Sequence, residues 1–189
     1  MVTLQKNTFR NQNFKSLGLI VIAMLFLMVM PKQLDASEET SASEVKAAWI
    51  NTLLDWIEWK NLPKNSKSVI CTIGRDKVYM YLKRIEMSAK SKSADKFMVK
   101  NKAPEGELKE CNVLYISESE QEYYMNILEK IADSKGIVTV SSIGGFAKHG
   151  GAIEFVIRKK ASLIINMTTI RKAKVVLDEE LYGWVETVN

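Results

Sequence analysis

Apolar residues along this chain recur at two periods, and the changes of period mark its elements. Val45, Ala48, Trp49, Thr52, Leu53, Trp56 and Ile57 follow one another at steps of three and four, which puts one broad apolar face on a helix. Ser41-Ala-Ser-Glu44 ahead of it reads as a capping box, and Pro63 sets the limit beyond which the helix cannot run. Trp49 and Trp56 share the apolar face and read as core, whereas Trp59 falls off the stripe and reads as an exposed aromatic. The pattern then shortens. Ser68 to Gly74 is an apolar strand ending in glycine, and Arg75 to Met87 is a helix with Val78, Tyr81, Leu82 and Ile85 on one side. Phe97 to Asn101 predicts a weak strand and Asn112 to Ile116 a strong one. Ser117 reads as the cap of a helix from Glu118 to about Ser134, closed by Gly136 and followed by a strand over Ile137 to Ser141.

Further on, Ile153, Phe155 and Ile157 alternate with Glu154, Val156 and Arg158, the period of a strand with one buried face. A polar turn and an apolar return over Ser162 to Met167 make an antiparallel hairpin, and a last helix is predicted from Thr168 to about Val185 with Ile170, Val175, Leu177, Leu181 and Trp184 packed inward. Strand and helix units followed by a hairpin and a helix specify an α/β fold: a single-domain three-layer sandwich on a mixed β-sheet.

The first 36 residues change how the composition is read. Lys6, Arg10 and Lys15 precede an apolar run from Leu17 to Met30, then Pro31 and the small-residue exit Leu34-Asp-Ala36. This is the layout of a secretory signal peptide. The run spans 14 residues, and a membrane-crossing helix needs about 20, so cleavage after Ala36 is preferred over an uncleaved inner-membrane anchor. No cysteine stands at the exit for lipid attachment, and a bacterial periplasm is the natural destination of the mature domain, residues 37–189. Removal of the leader takes away four positive charges (Lys6, Arg10, Lys15, Lys32) and one negative (Asp35), so the formal charge of +5 falls to +2 over 153 residues. Nucleic-acid binding thereby loses the basic footprint it requires. One local excess remains, Lys83, Arg84, Lys90, Lys92, Lys96, Lys100 and Lys102 against Glu86 and Asp95, and it reads as a solvated face before it reads as a surface for acidic partners or lipid headgroups.

Candidate chemistry is sparse. Cys71 and Cys111 are the two cysteines, and an exported chain meets an oxidising compartment where such a pair is normally bridged; the alternative is two buried free thiols. Two cysteines and one distant histidine are a poor zinc set. The layout strand, Gly74, helix is shared with phosphate-binding folds, but one glycine does not make the Gly-x-Gly-x-x-Gly loop, so no nucleotide cofactor is expected. His149 is the sole histidine, and Ser141 and Ser142 precede it without a nucleophile-elbow motif, so no enzyme activity is expected. The stretch Ile143-Gly-Gly-Phe-Ala-Lys-His-Gly-Gly-Ala-Ile-Glu-Phe-Val156 stands out. Its glycine pairs, Gly144 with Gly145 and Gly150 with Gly151, suit either a bare turn or a surface that lets a ligand or partner come close. Phe146, Lys148 and His149 within it, with Trp59, are the candidate binding residues.

That loop, with Glu44-Val-Lys-Ala-Ala-Trp-Ile50 running on to Trp59, Val69-Ile-Cys-Thr-Ile-Gly74, Cys111-Asn-Val-Leu-Tyr-Ile-Ser117 and Leu163-Ile-Ile-Asn166, resembles the YfiR family of exported bacterial proteins in order and spacing. The resemblance covers nearly the whole mature chain. It implies a small periplasmic α/β protein that works by docking and restrains an inner-membrane diguanylate cyclase. It also implies a second partner, an OmpA-like outer-membrane lipoprotein that captures the inhibitor, and paired subunits would suit a dimeric membrane enzyme. Two departures matter. Family members tend to have proline directly after the tryptophan at Trp59, where this chain inserts Lys60-Asn-Leu62, and some carry a second cysteine pair near the glycine loop that is missing here. A small-ligand receptor whose glycine loop closes one wall of a pocket, and an accessory protein for an outer-membrane transporter or sensor kinase, are the competing expectations.

Overall fold

The structure is a computed structural model that describes residues 35–60, 62–63, 66–88, 96–157 and 161–188. Expectations about the leader, Lys90, Lys92 and the side chain of Trp184 therefore lie outside the described residues. The chain divides into two units at Glu38 and Glu39, and the account below concerns the second.

Helix α1 (Asp35–Trp56) passes into a short strand β1 (Ile57–Trp59). The alternating units follow: β2 (Ser68–Ile73), α2 (Val78–Met87), β3 (Phe97–Lys102), β4 (Val113–Ile116), α3 (Tyr124–Lys130), β5 (Val138–Ser141), β6 (Ile153–Ile157), β7 (Ala161–Asn166), α4 (Met167–Ala173), β8 (Val175–Leu177) and β9 (Val185–Val188). Seven strands form one sheet in the order β3-β2-β4-β5-β6-β7-β9, and β1 pairs with β8 in a separate two-stranded ribbon. The first five strands of the large sheet run parallel, β7 returns antiparallel to β6, and β9 lies parallel to β7. The mixed sheet is thus present as expected.

Strand alternation sorts the core into two layers. Ile70, Val113, Tyr115, Val138 and Val140 face α1, α2 and α4 through Ala47, Ile50, Leu53, Val78, Leu82, Ile170 and Ala173. Cys71, Ile73, Leu114 and Ile116 face the other way, onto Leu108, Tyr124, Ile127, Ile131, Ile143 and Phe146. Both faces of the central strands are covered, which is why they read as near-continuous apolar runs, broken only by small hydroxyl residues such as Thr72 and Thr139. The Cys71–Cys111 disulfide lies within the second layer, its Cα atoms 5.7 Å apart, and both cysteines are buried.

Several boundaries differ from those the pattern predicts. Ser41 lies inside α1, which is already helical at Asp35, so the capping box does not mark the start of this helix. The helix gives way at Trp56, because Ile57 and Trp59 pair with Leu177 and Val175 of β8. The helix predicted over 118–134 is two pieces: Ser117 caps a single 3-10 turn over Glu118–Glu120 by accepting from the Ser119 amide, and α3 starts only at Tyr124. The predicted terminal helix is cut at Ala173, where Lys174 takes a left-handed conformation (φ 56°) and Val175-Val176-Leu177 go into strand. A second 3-10 turn over Glu179–Trp184, capped by Asp178, and β9 replace the remainder. Val175, Leu177 and Leu181 are buried as expected, through strand and turn instead of helix. Most of the described basic excess is neutralised by ion pairs: Lys83 with Glu86 at 2.6 Å, Lys96 with Asp55, and both Lys100 and Lys102 with Glu110. Hydrogen bonds from Lys100 and Lys102 hold the Glu110 carboxyl down to about 2.

Candidate functional site

The loop between β5 and β6 is an internally bonded structure. Glu154, on β6 and 6% exposed, turns its carboxylate back under the loop, where Oε1 accepts from the Gly145 amide (3.0 Å) and Oε2 from the Ala147 amide (3.1 Å). Asn166 Nδ2 donates to the Ala147 carbonyl (2.7 Å), Thr169 Oγ1 donates to that of Gly150 (3.1 Å), and Thr139 Oγ1 accepts from the Ala152 amide (2.8 Å). Gly145 (φ 79°) and Gly150 (φ 100°) supply the left-handed turns this path needs. Gly151 has a different reason: a Cβ there would collide with the ring of Phe146.

The side chains of the loop point in opposite directions. Phe146 is fully buried against Tyr124, with ring centroids 5.7 Å apart, so it anchors the loop to the core and presents nothing to a partner. Lys148 and His149 are exposed, as are Gly144 and Gly150. His149 Nδ1 lies 2.8 Å from the Tyr124 hydroxyl, which fixes the ring. Trp59 is not on this surface. It is 9% exposed and its indole N–H donates to the Gly136 carbonyl at 2.9 Å, correcting the expectation of an exposed aromatic. The off-stripe position that suggested exposure is strand geometry, because Trp59 belongs to β1.

Neither serine that precedes His149 in the sequence is directed at it. Ser141 Oγ donates to the buried Ile116 carbonyl (2.7 Å), and Ser142 Oγ donates to Glu118 (2.6 Å). At the carboxyl ends of the parallel strands, where open α/β sheets usually bind ligands, the chain satisfies its own groups. Asp76 accepts from the Val78 amide at the start of α2 and from the Tyr115 hydroxyl, while Ser119 Oγ accepts from the Arg75 amide (3.1 Å). Burial, with the Asp76 charge beside it, raises the Tyr115 phenol far above its ordinary value. Lys46 of α1, its side chain 9% exposed, reaches Glu118 at 3.0 Å. Burial alone would raise the Glu118 carboxyl; hydrogen bonds from Ser142 and Lys46, with the Lys46 charge, outweigh it and hold the group below its ordinary value.

A concave surface remains beside the loop. Helices α3 and α4 and the loop enclose a groove of about 420 Å³, lined by Met125, Leu128, Ile131 and Ile137 with His149 and Lys172 among its polar residues.

The sequence profile of the DUF4154 family, described as YfiR/HmsC-like, matches residues 43–183, from the first buried turns of α1 to the second 3-10 turn. The chain belongs to the YfiR/HmsC-like family. No curated protein matches it. This family is one of periplasmic regulators in the cyclic di-GMP system, regulatory rather than catalytic. Two features of its YfiR/HmsC-like domain escaped the reading of the sequence. Glu154 was legible only as the polar side of a strand, although a carboxylate in an apolar run directly after two glycine pairs is a signal of a braced loop. Tyr124, which positions His149, carries no signal of its own in the sequence. Among the described residues no helix is long and apolar enough to cross a membrane.

Proposed function

We propose that this chain is a periplasmic regulatory binding protein that restrains an inner-membrane diguanylate cyclase by docking to its periplasmic part. The observation that carries this reading is the family match over nearly all of the described domain. The state of the polar groups supports it, since the serines nearest His149 and the strand ends are engaged within the protein. Restraint requires differential affinity: the inhibitor binds the inactive cyclase more tightly than the active one, and the difference sets how far the equilibrium moves. An OmpA-like outer-membrane lipoprotein that competes for the inhibitor would then release the enzyme. The rim of the glycine loop, Lys148 and His149 flanked by Gly144 and Gly150, is the surface we assign to docking, and Glu154 and Phe146 hold it in shape from below.

The test is cellular cyclic di-GMP in a deletion strain, with add-back of the full chain and of a version lacking residues 1–36. A rise on deletion that only the exported form reverses is expected; no change under several growth conditions would sink the assignment. Replacing Lys148 with Glu and His149 with Ala together then checks the rim, and unchanged capture of the cyclase would remove it from the interface.

The groove favours a second reading, a receptor for a small ligand whose one wall is the glycine loop.

A further inference from the structure

We infer that the groove between α3 and α4 is a binding site for a small monocarboxylate with an apolar body; this rests on the receptor reading above and gives it a ligand class. The volume, about 420 Å³, falls within the roughly 300–1,000 Å³ of small-molecule sites. Its apolar wall is Leu128 with the buried Ile131 and Ile137. Three titratable groups line it, His149, Lys172 and Glu129. Lys172 brings a positive charge and His149 a ring nitrogen able to hydrogen-bond, and together they suit an anionic head. The single carboxylate of Glu129 disfavours a second negative charge on the ligand.

Lys172 is the group that makes the argument specific. Lys46, Lys83, Lys96, Lys100, Lys102 and Lys130 all reach carboxylates or carbonyls of the protein. The side chain of Lys172, in the last turn of α4, makes no hydrogen bond or ion pair among the described residues; those of Lys60, Lys135, Lys148 and Lys174 are alike in this, but of the five only Lys172 lines this groove. His149, which lines the groove, adds a ring held at Nδ1 by Tyr124, so a ligand contact to it avoids the entropy cost of ordering a free side chain. An apolar wall with a few converging polar groups is what orients a ligand in a site of this kind.

His149 is the sole histidine of the chain, so labelled imidazole nitrogens give one reporter within the groove. The full exported chain is titrated with octanoate, octanamide and octylamine while the His149 signals are followed. Octanoate is expected to shift them saturably, with octanamide and octylamine at least tenfold weaker. Lys172→Gln should reduce octanoate to the level of octanamide without changing octanamide itself. Ala132→Trp, which fills the groove from its exposed side, should abolish the shift by octanoate while circular dichroism stays native. Equal or tighter binding of octanamide or octylamine would overturn the carboxylate class and leave the receptor reading standing. The absence of a saturable shift with all three, or a shift that survives Ala132→Trp, would overturn both.

Discussion

Replacing Glu154 tests whether the glycine loop is held from below or is a free turn. The carboxylate is 6% exposed and accepts two backbone amides, Gly145 at 3.0 Å and Ala147 at 3.1 Å. Hydrogen bonds to a charged group contribute roughly 1.5–3 kcal/mol each. Glu154→Ala removes both and strands two donors, so a loss of about 3–5 kcal/mol is expected. Glu154→Gln keeps one acceptor oxygen but turns an NH2 group toward the other amide, and about 2–3 kcal/mol is expected. For a domain of this size each kcal/mol lowers the midpoint by roughly 2–4 °C, which places the alanine variant about 12 °C below the parent. Urea unfolding gives the free energies, and amide exchange at Gly145 and Ala147 localises them. Glu58→Ala, an exposed strand carboxylate, is the control and should stay within about 0.5 kcal/mol. A loss below about 1 kcal/mol for Glu154→Ala, or amides that exchange no faster, would refute the bracing argument.

Other perturbations give independent checks. The Cys71–Cys111 bridge closes a separation of 40 residues, and the chain-entropy relation gives about 4 kcal/mol for it, so the double alanine variant should lose at least that in urea unfolding, with buried cavities adding to the loss. Gly151→Ala should cost about 1–3 kcal/mol by driving Phe146 off its site, whereas Gly144→Ala, where a Cβ meets nothing within 4 Å, should be close to neutral; equal effects in thermal melts would contradict the packing. Removing Glu118 leaves the buried ammonium of Lys46 without its carboxylate, while removing Lys46 leaves Glu118 partly solvated and still bonded to Ser142. Glu118→Gln should therefore destabilise more than Lys46→Met. The Glu118 carboxyl is held below its ordinary value in the fold, so its contribution is fully present above the ordinary carboxylate range and is lost as pH falls through the lowered value; the stability gap between parent and Glu118→Gln should narrow below about pH 4.5 in acid unfolding curves.

How much of this was legible in the sequence follows from where the determining information sits. The parallel strands read correctly because each carries its own signal: Val69 to Ile73, apolar but for Thr72, and Val113 to Ile116, apolar throughout, are covered on both faces, and no distant residue has to be known. The hairpin of β6 and β7 read for the same reason, its alternating run and its apolar return being close in the chain. The misread elements are those whose form is decided by a partner remote in sequence. Ile57 to Trp59 continues a helical stripe and becomes a strand only because Val175 to Leu177 lies beside it; each segment is ambiguous alone, and the ribbon resolves both. The same ribbon inverts the reading of Trp59, since a residue off a helical stripe is exposed on a helix but faces the core on this strand. The site divides along the same line. Glycine spacing announced a special loop between β5 and β6, but which of its side chains face out depends on Tyr124 and Glu154, one from a helix before it and one from the strand after. Phe146 is the consequence. It was a candidate for the surface as an aromatic in a polar loop, yet Gly151 leaves the space its ring occupies, so the second glycine pair serves in part to bury the residue that the first pair seemed to display. The loop therefore offers a partner charge and backbone at Lys148, His149, Gly144 and Gly150, and a docking contact made there would be polar and dependent on ionic strength rather than built on an aromatic anchor.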